Sequence, residues 1–275
     1  MLTREKVTTQ VVTITPEWAE KALEGNTHNR PISNGTVEDY ASQMKRKLWL
    51  LNGEAIVFDY SGRLLDGQHR LWACVDSGAS FDAVVVRGVD PETFSTIDTG
   101  KKRSAGDVLH IAGIKKNEKT VAAAACVCLD YCAGSLARGG AKQAKGLKRT
   151  ATRTDVLRFV EKNPQLKTWV ERSLSESTWV RPYAANISAV LYLGSLKYRE
   201  QAEEFILGWL SGQNLGSKSP VLALRNRLGT EKRMLRATRV GLIIHAWNAF
   251  VDKRSLTMIR PARGTELVIR GTEKQ

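Results

Sequence analysis

The chain has 275 residues, 42% of them apolar and 25% charged, enough to bury a core in one large or two ordinary domains. No stretch reaches the roughly 18 consecutive apolar residues that a membrane-spanning helix needs, and Met1-Leu2-Thr3-Arg4-Glu5-Lys6 lacks the apolar centre of a signal peptide. A cytoplasmic protein that does not enter membranes is therefore expected. Charge is concentrated in one half: residues 1–113 carry 13 Lys and Arg against 15 Asp and Glu, a net −2, whereas residues 114–275 carry 29 against 13, a net +16. That asymmetry predicts a near-neutral ligand-handling domain, 1–113, followed by a domain, 114–275, that meets a polyanion. DNA is the expected partner, because phosphates reward a basic surface through counterion release.

In chain order, Val11 to Ile14 has the alternation of a strand, and Thr15-Pro16-Glu17 is a helix start with Thr as cap and Pro at the first position. This helix is expected to end at Gly25, ahead of the polar loop Asn26-Thr27-His28-Asn29-Arg30-Pro31. Thr36 is the expected cap of a second helix, with Val37, Tyr40, Ala41 and Met44 on its inner face. Asn52-Gly53 signals a turn, Ala55 to Phe58 a buried strand, and Tyr60-Ser61-Gly62 a reversal into Arg63 to Leu65.

The reversal delivers the chain to Asp66-Gly67-Gln68-His69-Arg70, where a strand end runs through a polar, glycine-containing turn into a helix over Leu71 to Ser77 closed by Gly78. A helix start presents backbone N–H groups forward, and Gln68, His69 and Arg70 add side-chain donors at the same place. This is the layout of an anion site. Phe81 to Val86 then reads as a strand and Pro91 to Phe94 as a helical turn. Asp98-Thr99-Gly100-Lys101-Lys102-Arg103 is a second basic turn, followed by a helix from Ser104 through His110. It lacks the first glycine and the spacing of a Walker A loop.

Residues 114–119 read as a polar linker. Beyond them the pattern is helical: Val121 to Cys132, Thr154 to Lys162, Gln165 to Ser173, Ala184 to Leu196, Arg199 to Leu210, Val221 to Leu228 and Thr238 to Asp252. Cys126, Cys128 and Cys132 share one such helix, on differing faces and without a nearby histidine, so they read as packing residues. Asn163-Pro164 joins two short helices in a helix-turn-helix-like way. The stretch 139–149 is basic and nearly free of bulky apolar residues. Its Lys142, Lys145, Lys148 and Arg149, with Arg153 just beyond, are the candidate DNA contacts, aimed at phosphates rather than bases. Met258 to Pro261 and Leu267 to Arg270 read as extended pieces.

The run Asp66-Gly67-Gln68-His69-Arg70 resembles the signature of the DGQHR-type branch of the ParB/sulfiredoxin superfamily, which includes DndB-like and phage-borne ParB-like proteins. The resemblance extends upstream through Asn29-Arg30-Pro31, through Val37, Tyr40, Ala41 and Met44, through Trp49, Asn52 and Gly53, and through Phe58-Asp59. Downstream it takes in Ile97 to Arg103, about the first 110 residues in all. It implies an α+β ParB/sulfiredoxin-like N-terminal domain, here followed by an all-α C-terminal domain, and a phage or mobile-element origin. It also places Asn29 and Arg30 beside the ligand pocket. Sulfiredoxin chemistry is not expected, because Gln68 stands where those proteins have a cysteine.

The leading expectation is a nucleotide-binding, conceivably NTP-hydrolysing, ParB-like DNA-binding protein using ATP or CTP with Mg2+. Gly67, Gln68, His69, Arg70, Thr99, Gly100, Lys101, Lys102 and Arg103 would hold the phosphates. Asp66, His69 and Arg70 are the candidate catalytic residues, and Asp66 or Asp98 the candidate metal ligands. The alternatives are a metal-dependent nuclease drawing on Asp59, Asp66 and Asp98, and a non-enzymatic DNA-binding regulator. A homodimer is allowed by the sequence but not specified by it.

Overall fold

A computed structural model describes residues 7–24, 26, 29, 31–96, 103–136, 151–174, 180–230, 234–260 and 267–272, with the backbone alone at 94–96. The chain divides into two compact units, Met1–Lys102 and Arg103–Gln275. The division falls ahead of the Ser104 helix rather than at the linker expected near residue 114. The reason is packing: Leu109 of that helix is fully buried in the core of the second unit.

The first unit is a four-stranded sheet with three helices. Its elements are β1 (Thr8–Ile14), α1 (Pro16–Leu23), α2 (Asn34–Lys45), β2 (Ala55–Asp59), β3 (Leu64–Asp66), α3 (Gln68–Ser77) and β4 (Phe81–Val89), then a 3-10 turn over Pro91–Thr96. Thr15 caps α1 as expected, accepting from Trp18 N–H at 3.2 Å. α2 begins earlier than the expected Thr36, with Ser33 in the capping position, and Thr36 donates its hydroxyl to Ser33 Oγ. α3 also begins earlier than its apolar periodicity suggests, so Gln68, His69 and Arg70 form its first turn.

The strand order is β1-β4-β2-β3, with β1–β4 and β2–β3 antiparallel and the central β2–β4 pair parallel. The chain leaves β2, turns through β3 and returns along α3 to β4, so the parallel pair forces the Asp66–Arg70 turn to the sheet's end. Phe81, Ala83 and Val85 of β4 alternate inward with Ile56, Phe58 and Leu64. They pack beneath Ala19, Ala41, Met44, Leu71, Ala73 and Cys74 of the helices. α1 and α2 both pack on α3.

The second unit is helical throughout its described residues, with α4 (Ala105–Ile111), α5 (Glu118–Cys132), α6 (Arg153–Lys162), α7 (Gln165–Ser173), α8 (Ala184–Ser195), α9 (Arg199–Ser211), α10 (Pro220–Thr230) and α11 (Arg236–Val251). α8 is the hub: Asn186 through Gly194 are all buried, against α5, α7, α9 and α11. Gly194 is required there, since a Cβ would lie 2.5 Å from the Trp247 ring. Of the three α5 cysteines only Cys128 is fully buried; Cys126 is half-buried and Cys132 exposed, a partial departure from the expected packing role.

The chain's last described segment, residues 267–272, runs over α5 and α11 as a non-strand strap. Trp247 Nε1 donates to Arg270 O (3.0 Å), Asn248 Nδ2 to Val268 O (2.7 Å), and Ile269 N–H to the Tyr131 hydroxyl (2.9 Å).

Candidate functional site

The site grows from the β2–β3 hairpin. Asp59 ends β2, and its carboxylate accepts from Ser61 N–H, Ser61 Oγ, Arg63 N–H and Arg63 Nε, at 2.7 to 3.0 Å. Burial alone would push this carboxyl up. The bonds from Ser61 and Arg63, with the Arg63 charge, outweigh that and leave it below its ordinary value. Asp59 therefore organises the hairpin, and a carboxylate so fully engaged is a poor metal ligand for the nuclease alternative.

Gly67 follows β3 at φ 107°, a conformation other residues adopt only under strain. A Cβ there would also stand 3.1 Å from Ile56 Cγ1, so the glycine fits the turn closely against β2. Its carbonyl accepts from Arg70 and Leu71 N–H, which starts α3.

Arg70 is buried to 8% exposure. Its Nη1 donates to Glu54 O (2.5 Å), and its Nη2 to Ala55 O (2.6 Å) and Asp66 Oδ2 (3.1 Å). The planar fork clamps the helix start to the first residues of β2. The structure thus places Arg70 in a contact within the unit, where a phosphate-gripping role was expected.

Gln68 Oε1 accepts from Asn26 Nδ2 at 3.1 Å. Asn29 Nδ2 donates to Asn26 Oδ1 (2.6 Å) and to Leu64 O (2.9 Å), which ties the loop after α1 to β3. Ser33 N–H donates to His69 Nε2 at 3.1 Å, so that ring nitrogen accepts and carries no proton in this arrangement. Asn26, Asn29, Gln68 and His69 thus meet at the start of α3. Asn29 stands where the resemblance put it, while Arg30 lies outside the described residues.

Two contributors had little sequence signal. Asn26 is one polar residue in a polar loop, and the carbonyls of Glu54 and Ala55 leave no mark in a sequence.

The expected magnesium does not fit the described part of the site. One Asp66 oxygen faces Arg70, and that guanidinium places a fixed positive charge where a dication would sit. Asp98 lies outside the described residues, and among the described residues no group of three His, Cys, Asp or Glu side chains could hold an ion. Thr99, Gly100, Lys101 and Lys102 of the second basic turn are likewise outside them. Arg103 is described, and its carbonyl accepts from Arg153 Nη1 at 2.8 Å. Of the candidate DNA contacts, Lys142, Lys145, Lys148 and Arg149 lie outside the described residues, and Arg153 starts α6 beside that bond.

The second unit holds a cleft of about 200 Å³ that the sequence reading missed, lined by α7, α8 and α9. Arg172 there pairs with Glu203 and lies 5.6 Å over the Trp169 ring, and Arg199 stands at the rim. Its residues come from three helices with no shared motif, so only the packing brings them together.

Comparison of the chain with protein-family models, with curated proteins and with solved structures finds no match.

Proposed function

We propose that this chain is a ParB-like DNA-binding protein that binds rather than cleaves its partner. The basic helical unit holds the duplex through its phosphates, and the first unit carries a nucleotide site at the start of α3. One observation carries the reading: the charge division coincides with the structural one. Residues 1–102 carry 12 Lys and Arg against 14 Asp and Glu, a net −2, and residues 103–275 carry 30 against 14, a net +16. A charge excess segregated onto one folded unit is what phosphate neutralisation rewards.

The binding role is preferred to hydrolysis because the three candidate catalytic side chains hold contacts inside the first unit. Arg70 clamps β2, Asp66 pairs with Arg70, and His69 accepts from Ser33 N–H. Nucleotide binding is supported by the polar convergence of Asn26, Asn29, Gln68 and His69. Its phosphate grip falls, in this proposal, to the turn of residues 99–103.

The test is titration of the full chain into unrelated duplexes between about 50 and 200 mM salt, the range over which a protein making several phosphate contacts loses orders of magnitude in affinity. Binding should be steeply salt-dependent and nearly indifferent to sequence. Replacing Lys142, Lys145, Lys148, Arg149 and Arg153 together by Ala should weaken it and flatten the slope. Failure to bind any duplex at the low-salt end rejects the proposal. Calorimetry with ATP, CTP and GTP tests the nucleotide half separately, and duplex that is cut in the presence of Mg2+ or Mn2+ would favour the nuclease instead.

A further inference from the structure

The two edges of the sheet differ sharply. β3 is three residues long, pairs with β2 through a register shift and ends on Asp66, all features that blunt an edge. β1 runs unbroken from Thr8 opposite Arg87 to Ile14 opposite Phe81, with no register shift. Residues 7–14, Val-Thr-Thr-Gln-Val-Val-Thr-Ile, contain no charge, no proline and no glycine. They are rich in β-branched residues and carry none of the usual guards against strand addition. Val7 and Val11 are 55% and 63% exposed, so nothing in the chain covers this edge.

From this we infer that β1 is a pairing edge at which a second copy of the chain adds its own β1, antiparallel, across a two-fold axis at Val11. The strand is self-complementary in that register. Val11 meets Val11, Thr9 meets Thr13 and Gln10 meets Val12, and no like charges are brought face to face. Thr9, Val11 and Thr13 share the sheet face away from the helices. There Val11 lies opposite Val84, Val84 beside Ala55, and Val86 beside Val57. Pairing makes this stripe continuous between copies, and the near-neutral charge of the first unit offers no repulsion to it. The second copy is the favoured occupant because a neutral, palindromic edge selects itself and holds no charge with which to select another protein. The blunted β3 edge limits the assembly to two chains.

One strand pair buries less than the roughly 1,200 Å² at the lower bound of standard interfaces, so the dimer should dissociate on dilution. Sedimentation of the full chain over roughly 1 μM to 1 mM, the span of weak to moderate affinities, should show the mass rising from 30.5 kDa to twice that. Val11→Lys and Val11→Glu each place like charges on the axis and should shift the midpoint upward by roughly tenfold or more, with the melting temperature unchanged. An equimolar mixture of the two variants should restore the dimer through the opposite pair. A chain that stays monomeric throughout, a dimer indifferent to both variants, a mixture that stays monomeric, or assemblies larger than two would each overturn the inference.

Discussion

Arg70 stands 3.1 Å from the Asp66 carboxylate one helical turn behind it, and the same guanidinium holds the carbonyls of Glu54 and Ala55. This joins the start of α3 to the start of β2, two segments that chain order leaves apart. The most recognisable motif in the sequence is therefore also a structural clamp.

Arg70→Ala strips three charge-assisted bonds and leaves two strand carbonyls without their donor, so the first unit should lose about 3 kcal/mol. Arg70→Lys should recover less than half, since an ammonium cannot span the fork. Urea unfolding of both variants, alongside nucleotide titration, checks this. Normal stability with lost nucleotide affinity would return Arg70 to a phosphate-binding role.

Acid should weaken the first unit through Asp59. Burial raises this carboxyl, but the bonds from Ser61 and Arg63 prevail and hold it below its ordinary value in the folded state. A group so depressed contributes stability that is present above the unfolded value near 3.9 and is lost as pH falls through the folded one. Melting should thus fall between pH 5 and the acid limit. Asp59→Asn should be less stable at pH 7 by about 2 kcal/mol and lose less on acidification. A parallel decline in both proteins would remove Asp59 from the account.

Much of the fold was legible where local chemistry decides it. Thr15-Pro16 and Ser104 mark helix starts, and Gly78 closes α3, because capping needs only neighbours in sequence. The role of Arg70 was not legible. Guanidinium beside carboxylate in a polar turn describes an anion site and a clamp equally well, and the deciding partners are backbone carbonyls fifteen and sixteen residues away. The cleft at Trp169 was hidden for a similar reason, being made by three helices of unrelated sequence.

The strap over residues 267–272 should matter more than its irregular backbone suggests. It supplies acceptors to Trp247 and Asn248 and a donor to Tyr131, and Ile269 is buried beneath it. Deleting residues 267–275 exposes that core and leaves the Trp247 N–H without its acceptor, an expected loss of about 3–5 kcal/mol. Asn248→Ala, which removes only the bonds to Val268 and Arg270, should cost about 1–2 kcal/mol. Equal melting of the truncated and full chains would show the strap to be dispensable.

Where the chain is cut should decide whether the basic unit survives alone. A boundary at residue 113, natural from the polar stretch that follows, removes α4 from its partners. Ser104 and Asp107 form a reciprocal cap at the start of α4, and Leu109 is fully buried. Gly106 lies so close to α5 that a Cβ would meet Lys119 Cγ at 3.1 Å. Losing one buried leucine costs about 2–5 kcal/mol, comparable with much of a small unit's margin. Residues 103–275 should therefore fold cooperatively and keep the duplex affinity of the whole chain, whereas residues 114–275 should melt well below them. Circular dichroism melts of the two fragments, with duplex titrations at matched salt, test both halves of the argument. Equal stability of the fragments would place α4 outside the second core, and duplex affinity retained by residues 1–102 would break the link between charge and binding.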